Sequence, residues 1–450
     1  MIKIKEIARV VGANVEGLSR DILEREVNSF STDTRTIKKG DFYIPLKGER
    51  FDGEQFIDKA VENGATAYFG VNIPTSFVVD KDIVGLKVND TKEAYLKLAN
   101  RYRHKINPKV IMITGSSGKT TTKELVYSVV SQKYNTIRTP LNHNNEIGLC
   151  QTIFSMDEDT QVLIIEAGMR GLGEIELISK YVEPDYSIIS NVGTAHIGRL
   201  GSRENIAKAK CEITSHQNPD GVLIAHDDAL IKSTVNFGGE KIYYSINDVE
   251  ILKKEIGYSN FVYKNENYEL NIEGDYNIEN SLAAINIGHI LNIEYPLIKK
   301  GLAEYKPIEK RWEVEKIAGY SVINDSYNAN PDSMKATLNT VLDLYSNLVV
   351  ILGNMGELGI NEKVYHKEVG EFINKKIGAK NCTLQILTVG ELAKEISDAV
   401  NVCFTKNFEN NESAARYILD NIAVGTTIFL KASRSMKFEE ILENLKESNK

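Results

Sequence analysis

The sequence has little of several residue types on which specialised proteins depend. Its four cysteines, Cys150, Cys211, Cys382 and Cys403, are widely separated among 450 residues and form no C-x-x-C pair. Disulfide scaffolds and cysteine-based zinc sites therefore do not fit, and a reducing, cytoplasmic setting is expected. No apolar run approaches the ~18 residues of a membrane helix, and the first residues form no apolar signal segment. Neither membrane insertion nor export is predicted.

Basic residues are fewer than acidic ones, with 54 Lys and Arg against 62 Asp and Glu and a net charge of −8. Nucleic-acid-binding proteins normally carry a basic surplus, so no nucleic-acid partner is expected. Hydrophobic residues make up 42% of the chain and charged residues 26%, as in ordinary folded proteins, which excludes extensive disorder. A chain of this length holds two to four domains.

The sequence pattern changes twice along the chain and predicts three α/β domains. Residues 1–106 mix short β-like runs with turn sequences, and they end in a helix at 91–105 before Asn107-Pro108. Residues 107–306 alternate apolar runs with helices, as in parallel α/β folds, with strands at 110–113, 162–165, 187–189 and 222–225. The alternating stretch 241–273 predicts a small antiparallel insertion, and a helix follows at 278–291. Residues 307–450 return to an α/β pattern with a mostly parallel sheet, with strands at 321–323, 348–352, 385–389 and 427–430.

The strongest motif is a phosphate-binding loop, T-G-S-S-G-K-T-T-T at 114–122, between a strand and a helix that reaches residue 130. Glycines let the backbone wrap closely around phosphate oxygens, and the helix N-terminus adds positive potential. Lys119 is expected to reach the β- and γ-phosphates, and the Thr120 hydroxyl to bind Mg²⁺. Ile113 replaces the usual first glycine, so the loop is of the T-G-x-x-G-K-T class. The residues expected to contact a nucleotide here are Gly115, Ser116, Ser117, Gly118, Lys119, Thr120 and Thr121.

Two further candidates follow strands of the same region. Glu166 ends the second apolar run, where α/β sheets bind ligands and where a carboxylate suits Mg²⁺. His196 follows the third run, and its position leaves both a ligand and a satisfied histidine open. Lys208 and Lys210 lie on an amphipathic helix, and the helix pattern by itself predicts that both are solvated.

Together these segments resemble the Mur ligases, the ATP-dependent ligases of peptidoglycan synthesis, over essentially the whole chain. The matching segments are 114–122, 166–168, 191–196 and 209–212. Segments 33–35, 39–42, 51–53, 142–148, 324–334 and 353–359 further resemble the members that add D-alanyl-D-alanine to UDP-N-acetylmuramoyl tripeptide. The Tyr-Asn-Ala-Asn-Pro sequence at 327–331 is the most discriminating of them. The resemblance implies a UDP-sugar domain, a central P-loop ATPase domain and a Rossmann-like C-terminal domain.

The resemblance also implies a reaction and its cofactors. ATP phosphorylates the tripeptide carboxylate, and the dipeptide amine then displaces phosphate from the acyl phosphate. Lys119 acts on the phosphates, and Mg²⁺ is held by Thr120, Glu166, His196 and Lys210, the last as N6-carboxylysine; Lys208 is then its solvated neighbour. The implied nucleotide contacts outside the loop are Asn280, Arg311 and Asp325, whereas Asn277 is expected to cap the start of its helix.

Substrate contacts are implied in the first and last domains. Those to the muramoyl substrate are Thr34, Arg35, Asn142, Asn144 and Asn145, and those in the C-terminal domain are Tyr327, Asn328, Asn330, Lys431 and Arg434. Ala432 and Asn354 depart from the glycine and aspartate usual in the family, and Trp312, the sole tryptophan, is expected to pack near the domain hinge. A monomer is expected. A ligase for another acceptor, such as a folylpolyglutamate- or diaminopimelate-adding enzyme, and a P-loop regulatory ATPase remain alternatives.

Overall fold

The structure is a computed structural model that describes residues 2–48, 51–73, 75–79, 83–141, 143–308, 310–379 and 383–447. The chain forms two compact units. Unit 1 consists of Met1–Val110, Ile137–Ile165 and Lys180–Glu183, and unit 2 consists of Ile111–Thr136, Glu166–Ser179 and Pro184–Lys450. In the described part of the chain, no helix combines the length and the apolar character needed to span a bilayer.

The amino-terminal region forms a two-stranded and a five-stranded sheet. The larger sheet has the order β3-β4-β5-β7-β6 and is parallel except for its last pair, and β1 pairs with β2. The predicted helix before Asn107-Pro108 is confirmed, because Asp90 caps its start and Asn107 ends it in the left-handed conformation. The elements are β1 (Ile2–Lys3), α1 (Ile4–Val11), α2 (Arg20–Glu24), β2 (Glu26–Val27), β3 (Phe30–Ser31), β4 (Phe42–Tyr43), α3 (Ile57–Glu62), β5 (Ala67–Gly70), β6 (Phe77–Val79), β7 (Ile83–Lys87) and α4 (Thr91–Ile106).

The central region forms a six-stranded sheet in the order β13-β12-β11-β8-β10-β9 and a three-stranded antiparallel sheet, β14-β15-β16. Its elements are β8 (Lys109–Thr114), α5 (Lys119–Val130), β9 (Thr136–Arg138), α6 (Glu146–Phe154), β10 (Val162–Glu166), α7 (Glu174–Val182), β11 (Tyr186–Ile189), α8 (Ile197–Leu200), α9 (Arg203–Cys211), β12 (Val222–His226), α10 (Ala229–Thr234), β13 (Glu240–Tyr244), β14 (Val249–Glu255), β15 (Tyr258–Tyr263), β16 (Glu266–Leu270), α11 (Asp275–Ile290) and α12 (Tyr295–Glu304).

The four strands predicted in the central region are all present as β8, β10, β11 and β12. Their side chains are almost entirely buried, which explains the uninterrupted apolar runs. The antiparallel insertion is confirmed but begins later than predicted. Residues 241–244 belong instead to β13, which pairs in parallel with β12 and continues the main sheet. Its polar residues misled the prediction because β13 is an edge strand.

The carboxyl-terminal region forms a second six-stranded sheet in the order β17-β18-β22-β19-β20-β21, parallel except for β17-β18. The four strands predicted here, β18, β19, β20 and β22, are confirmed, and the two edge strands are additions. Together with the central sheet it confirms the three-domain α/β architecture. The elements are β17 (Glu313–Ile317), β18 (Tyr320–Asn324), α13 (Pro331–Leu344), β19 (Leu348–Gly353), α14 (Glu362–Ile377), β20 (Gln385–Val389), α15 (Lys394–Ala399), β21 (Phe404–Phe408), α16 (Asn411–Asn421), β22 (Thr427–Lys431) and α17 (Glu439–Glu447).

Candidate active site

The phosphate loop joins buried β8 to the start of α5. Gly118 is the residue before α5 and has φ +75°, a left-handed conformation that glycine adopts without steric cost. A Cβ at this position would lie 2.5 Å from Oδ1 of Asn280, on α11. A Cβ at Gly115 would collide with the Ser190 side chain. Both glycines are therefore required for a tightly wrapped loop, the shape that receives phosphate groups.

A second loop, which follows β11, holds the phosphate loop in place. Oδ1 of Asn191 accepts hydrogen bonds from the backbone N–H groups of Ser116 and Ser117, at 3.1 and 2.9 Å. The Ser190 hydroxyl donates to the Ser117 carbonyl at 2.7 Å, and the Gly193 N–H donates to the Ser116 hydroxyl at 2.9 Å. Two of the loop N–H groups expected to face phosphate are thus bound to Asn191 in this structure.

Charged groups surround the start of α5. Lys119 donates to the carbonyl of Gly115 at 2.8 Å. Removal from water lowers the pKa of the Lys119 amine, while Glu166 acts in the opposite direction and Arg311 adds repulsion. Thr120 is buried beside it, and Glu166 is only 2% exposed at the end of β10. The structure therefore brings the lysine, the hydroxyl and the carboxylate of the predicted site together at one edge of the sheet.

Lys210 is buried on α9, whereas Lys208, two residues earlier, is exposed. The helix pattern predicted that both are solvated, and this is wrong for Lys210. Burial, and after it the positive charge of Lys119, hold the pKa of the Lys210 amine well below its ordinary value. No acidic side chain in the described ranges forms an ion pair with it. A buried amine without a counter-ion beside a second lysine is a place for an anionic group.

His196 lies in the left-handed conformation just before α8, and its Nδ1 is 2.5 Å from Oε2 of Glu357. The hydrogen bond from His196 lowers the pKa of the Glu357 carboxyl. Glu357 belongs to segment 353–359, which the sequence resemblance identified but to which it assigned no role. In the neighbouring turn, the N–H and the hydroxyl of Thr194 both donate to Oδ2 of Asp332, at 2.7 and 2.6 Å. Asp332 lies in the first turn of α13.

On the other side of the phosphate loop, Asn280 is near Gly118 and also accepts from the Thr122 hydroxyl at 3.2 Å. The Arg311 guanidinium stacks on the Tyr327 ring, 3.9 Å from its centroid. Thr121, the last predicted loop residue, lies beside Tyr305. Arg311 and Lys119 are close enough to repel each other, so this side chain extends toward the phosphate loop.

A lysine contacts the predicted acceptor segment, residues 327–331. Lys431, at the end of β22, forms an ion pair with Asp325 and donates to the Asn328 carbonyl at 3.5 Å. Asn330 caps α13 by accepting from the Ser333 N–H at 2.9 Å. Arg434 is more than half exposed and pairs with Glu439 at 3.0 Å.

The predicted muramoyl contacts lie in unit 1. The Thr34 carbonyl accepts from the Asn63 side chain at 2.8 Å, and the exposed Arg35 binds Asp33, lowering the pKa of that carboxyl to about 2. Asn145 caps α6, and Asn144 is half-buried before it. Asn142 lies outside the described residues.

Two expectations for single residues have clear outcomes. Asn277 does not cap α11, because the helix begins at Asp275 after Gly274. Its side chain donates backward instead, to the Glu273 carbonyl at 2.7 Å. Trp312 is buried and packs between the Tyr276 and Phe429 rings, at 5.9 and 5.7 Å, so the packing prediction is confirmed.

Sequence reasoning missed Lys123, Glu357 and His366. Lys123 is fully buried next to Glu166, and the buried His366 accepts the Met355 N–H at 2.9 Å. The spacing could have indicated Lys123, because this residue follows Lys119 by four positions on the same helix. Within the described part of the chain, no three His, Cys, Asp or Glu residues form a preassembled metal cluster.

These features define a phosphate-binding loop of the mononucleotide-binding class in an α/β protein. The chain matches the Mur ligase family, catalytic domain, over residues 26–103. It matches the Mur ligase middle domain over 113–288, and the Mur ligase, glutamate ligase domain, over 310–434. The three matches follow one another along the chain in the order that the sequence resemblance implied.

The UDP-N-acetylmuramoyl-tripeptide–D-alanyl-D-alanine ligase of Bacillus subtilis (strain 168) is 36% identical to the chain over 471 residues, covering 100% of this chain and 99% of that protein. A crystal structure of MurF from Acinetobacter baumannii has a TM-score of 0.88 at 29% identity, covering 99% and 98%. MurF ligase from Thermotoga maritima in complex with ADP has a TM-score of 0.82 at 25% identity, covering 93% and 97%. The chain belongs to the Mur ligase family.

Proposed function

We propose that this protein is an ATP-dependent amide ligase that joins D-alanyl-D-alanine to UDP-N-acetylmuramoyl tripeptide. The observation that carries the proposal is the double hydrogen bond from Thr194 to Asp332. It connects the loop beside the phosphate loop to the helix that follows the Tyr-Asn-Ala-Asn-Pro segment. This contact supports a site in which phosphoryl transfer and acceptor binding lie side by side. Relatives of the chain that are named for this activity add support.

The nucleotide part of the site fits ATP. At Gly115 and Gly118 a Cβ would collide with the Ser190 and Asn280 side chains, so only glycine allows the tight turns of a phosphate-binding loop. Lys119 neutralises charge on the transferring phosphoryl group, which has little covalent chemistry of its own and depends on positioning and charge. The base and ribose are proposed to be held by Asn280, Arg311 and Asp325. When the nucleotide binds, Asp325 would give up its ion pair with Lys431 and contact the nucleotide instead.

The donor set also fits Mg²⁺, because the buried Thr120 and Glu166 offer the oxygen ligands that this ion prefers. His196 is proposed as a further ligand. Held by these residues, Mg²⁺ would act as a Lewis acid that offsets the negative charge of the phosphates. The protein contributes a buried carboxylate and a buried hydroxyl.

Lys210 is proposed to carry a carbamate. Its neutral amine attacks carbon dioxide, a C–N bond forms, and one proton is released, so that the lysine becomes an anionic oxygen donor. Only a neutral amine reacts in this way, and burial beside Lys119 favours the neutral form. The carbamate also replaces the repulsion between Lys210 and Lys119 with attraction.

Substrate contacts are proposed in both units. Thr34, Arg35, Asn142, Asn144 and Asn145 hold the UDP-muramoyl part, and Tyr327, Asn328 and Asn330 hold D-alanyl-D-alanine, with Lys431 and Arg434 on the C-terminal side. The proposed domains are 1–106 for the UDP-sugar, 107–306 for ATP and 307–450 for the acceptor. The protein is proposed to act as a monomer in the cytoplasm.

The proposal is tested by measuring ADP release with UDP-N-acetylmuramoyl tripeptide in the presence and absence of D-alanyl-D-alanine. A ligase of this kind releases ADP at a substantial rate only with the dipeptide. Equal release with glutamate or diaminopimelate as acceptor would assign a different ligase. Release without any acceptor would indicate a regulatory ATPase.

A further inference from the structure

Lys123 is a charged side chain that the proposed reaction does not use, although it lies within the site. It is on α5, one helical turn after Lys119, and it is fully buried. Its Nζ lies 3.2 Å from Oε1 of Glu124 and 3.7 Å from Oε2 of Glu166. Both carboxylates are themselves buried, with 7% and 2% of their surface exposed.

A lysine is rarely enclosed in this way, because removing its charge from water is costly unless the charge is paired. Enclosure also fixes the long side chain in a single conformation, which fixes the groups that it contacts. Glu166 is the residue affected, since it ends β10 and lies between the charges of Lys119 and Lys123. Glu124, by contrast, lies on α5 itself, next to Lys123 in sequence.

We propose that Lys123 is a positioning residue that holds the Glu166 carboxylate at the phosphate loop for a Mg²⁺–nucleotide complex. The inference rests on the proposed function for the identity of that ligand. Lys123 touches neither the nucleotide nor the metal, and it acts through Glu166 alone. Groups that orient metal ligands from behind commonly change metal affinity by about 10–100-fold when they are removed.

A purely structural role makes the opposite prediction for metal binding. If Lys123 only neutralised buried carboxylates, its removal would leave the negative charge of Glu166 less compensated. The Coulomb attraction between Glu166 and Mg²⁺ would then be stronger, and Mg²⁺ would bind more tightly. If Lys123 positions Glu166, its removal weakens Mg²⁺ binding despite the lost positive charge. The sign of the change therefore separates the two roles.

The experiment uses calorimetric titration of ADP, with and without Mg²⁺, into the whole protein. The variants are Lys123→Met and the double variant Lys123→Met/Glu124→Gln, which restores the local net charge without restoring the contact to Glu166. Lys133→Met is the control, because Lys133 pairs with Glu294 on the surface beyond the end of α5. Thermal unfolding of each protein is recorded in parallel.

If Lys123 positions Glu166, both variants should need about ten-fold more Mg²⁺ than the wild type to reach the same increase in ADP affinity. Metal-free ADP affinity should stay within about two-fold, and the double variant should be the more stable of the two. The double variant keeps the test decisive if Lys123→Met does not fold. An unchanged or lower Mg²⁺ requirement in the double variant would overturn the inference.

Failure of the proposed function has a different signature. In that case the wild-type protein binds Mg²⁺ and ADP but shows no ADP release that depends on D-alanyl-D-alanine. The Lys123 variants would then still show the raised Mg²⁺ requirement. The two results are therefore read from separate measurements.

Discussion

His196 Nδ1 lies 2.5 Å from Glu357 Oε2 and thereby connects the loop after β11 to the loop after β19. The contact is reinforced by the backbone, because the Gly198 N–H donates to the Glu357 carbonyl at 2.9 Å. Arg199 also lies 3.6 Å from the same carboxylate. The central and C-terminal regions are thus connected beside the phosphate loop at Glu357, as they are at Asp332 through Thr194.

Replacing Glu357 with Ala should loosen this connection and slow ligation about ten-fold or more, the effect of losing a hydrogen bond to a charged carboxylate. ADP affinity should change less than about two-fold, because the phosphate loop is untouched. Small-angle scattering with an ATP analogue and UDP-tripeptide should show compaction in the wild type and less in the variant. Glu368→Ala, which removes an exposed pair with Lys335, is the control. If the wild type showed no compaction, this would contradict the expectation that the domains close when the substrates bind.

Replacing Lys119 with Ala should abolish ligation while the fold is retained. The lost ammonium group stabilises charge on the transferring phosphoryl group, and removal of one such group costs about 10²–10³ in rate. Steady-state ADP release measures the effect, and Lys133→Ala serves as a surface control. Near wild-type turnover in the Lys119 variant would rule out the assignment of the phosphate loop.

Lys210→Ala should lose about 10²-fold or more in activity, because it removes the proposed anionic metal ligand. Formate or acetate at high concentration should restore part of the rate by replacing the carboxylate. Lys208→Ala is the matched control on the same helix, and it should change stability by less than about 0.5 kcal/mol and leave turnover unchanged. Equal losses in the two variants would refute the special role of Lys210.

His366 makes the stability of the C-terminal region depend on pH. Its Nε2 accepts the Met355 N–H and therefore carries no proton, while Nδ1 donates to the Glu362 carbonyl at 2.7 Å. Burial lowers the pKa of this ring, although Glu362 and Glu395 act in the opposite direction. Below about pH 6.5 the unfolded chain binds a proton that the folded state does not, so stability falls as the pH falls toward the native pKa.

The loss should reach up to about 1.4 kcal/mol per pH unit for this one group. Thermal unfolding between pH 5 and 7 measures it. His366→Gln should flatten that part of the profile, whereas His216→Gln, at a partly exposed histidine, should not. Parallel profiles for the wild type and both variants would contradict the assignment.

The central strands and the phosphate loop could be predicted from the sequence because their signals are local. A buried strand is a run of apolar residues, and the glycines of the loop are adjacent to the lysine and the helix that they serve. Edge strands were missed for the same reason. β17 carries charges along an exposed side, and only the turn at Ala318 and Gly319, both with positive φ, marks its hairpin with β18.

The less predictable part of the site depends on contacts between distant segments. In the sequence, Lys123 is indistinguishable from a surface lysine. Only the fold shows its role, because β10 places Glu166 next to it. Lys210 is distinguished from Lys208 only by the packing of α9. The link between His196 and Glu357 joins residues that are far apart in sequence, and no local pattern indicates it. The sequence resemblance pointed to Lys210 and His196 but assigned no role to their neighbours.

The most direct test of the account follows the oxygen atoms of the tripeptide carboxylate. Tripeptide labelled with ¹⁸O in that carboxylate is incubated with ATP, Mg²⁺ and D-alanyl-D-alanine, and the products are analysed by mass spectrometry. Attack of the carboxylate on the γ-phosphorus forms an acyl phosphate, and the dipeptide amine then expels phosphate with one carboxylate oxygen. The account predicts one ¹⁸O in the inorganic phosphate and one in the new amide of the pentapeptide product. Unlabelled phosphate, or label in the nucleotide, would contradict it.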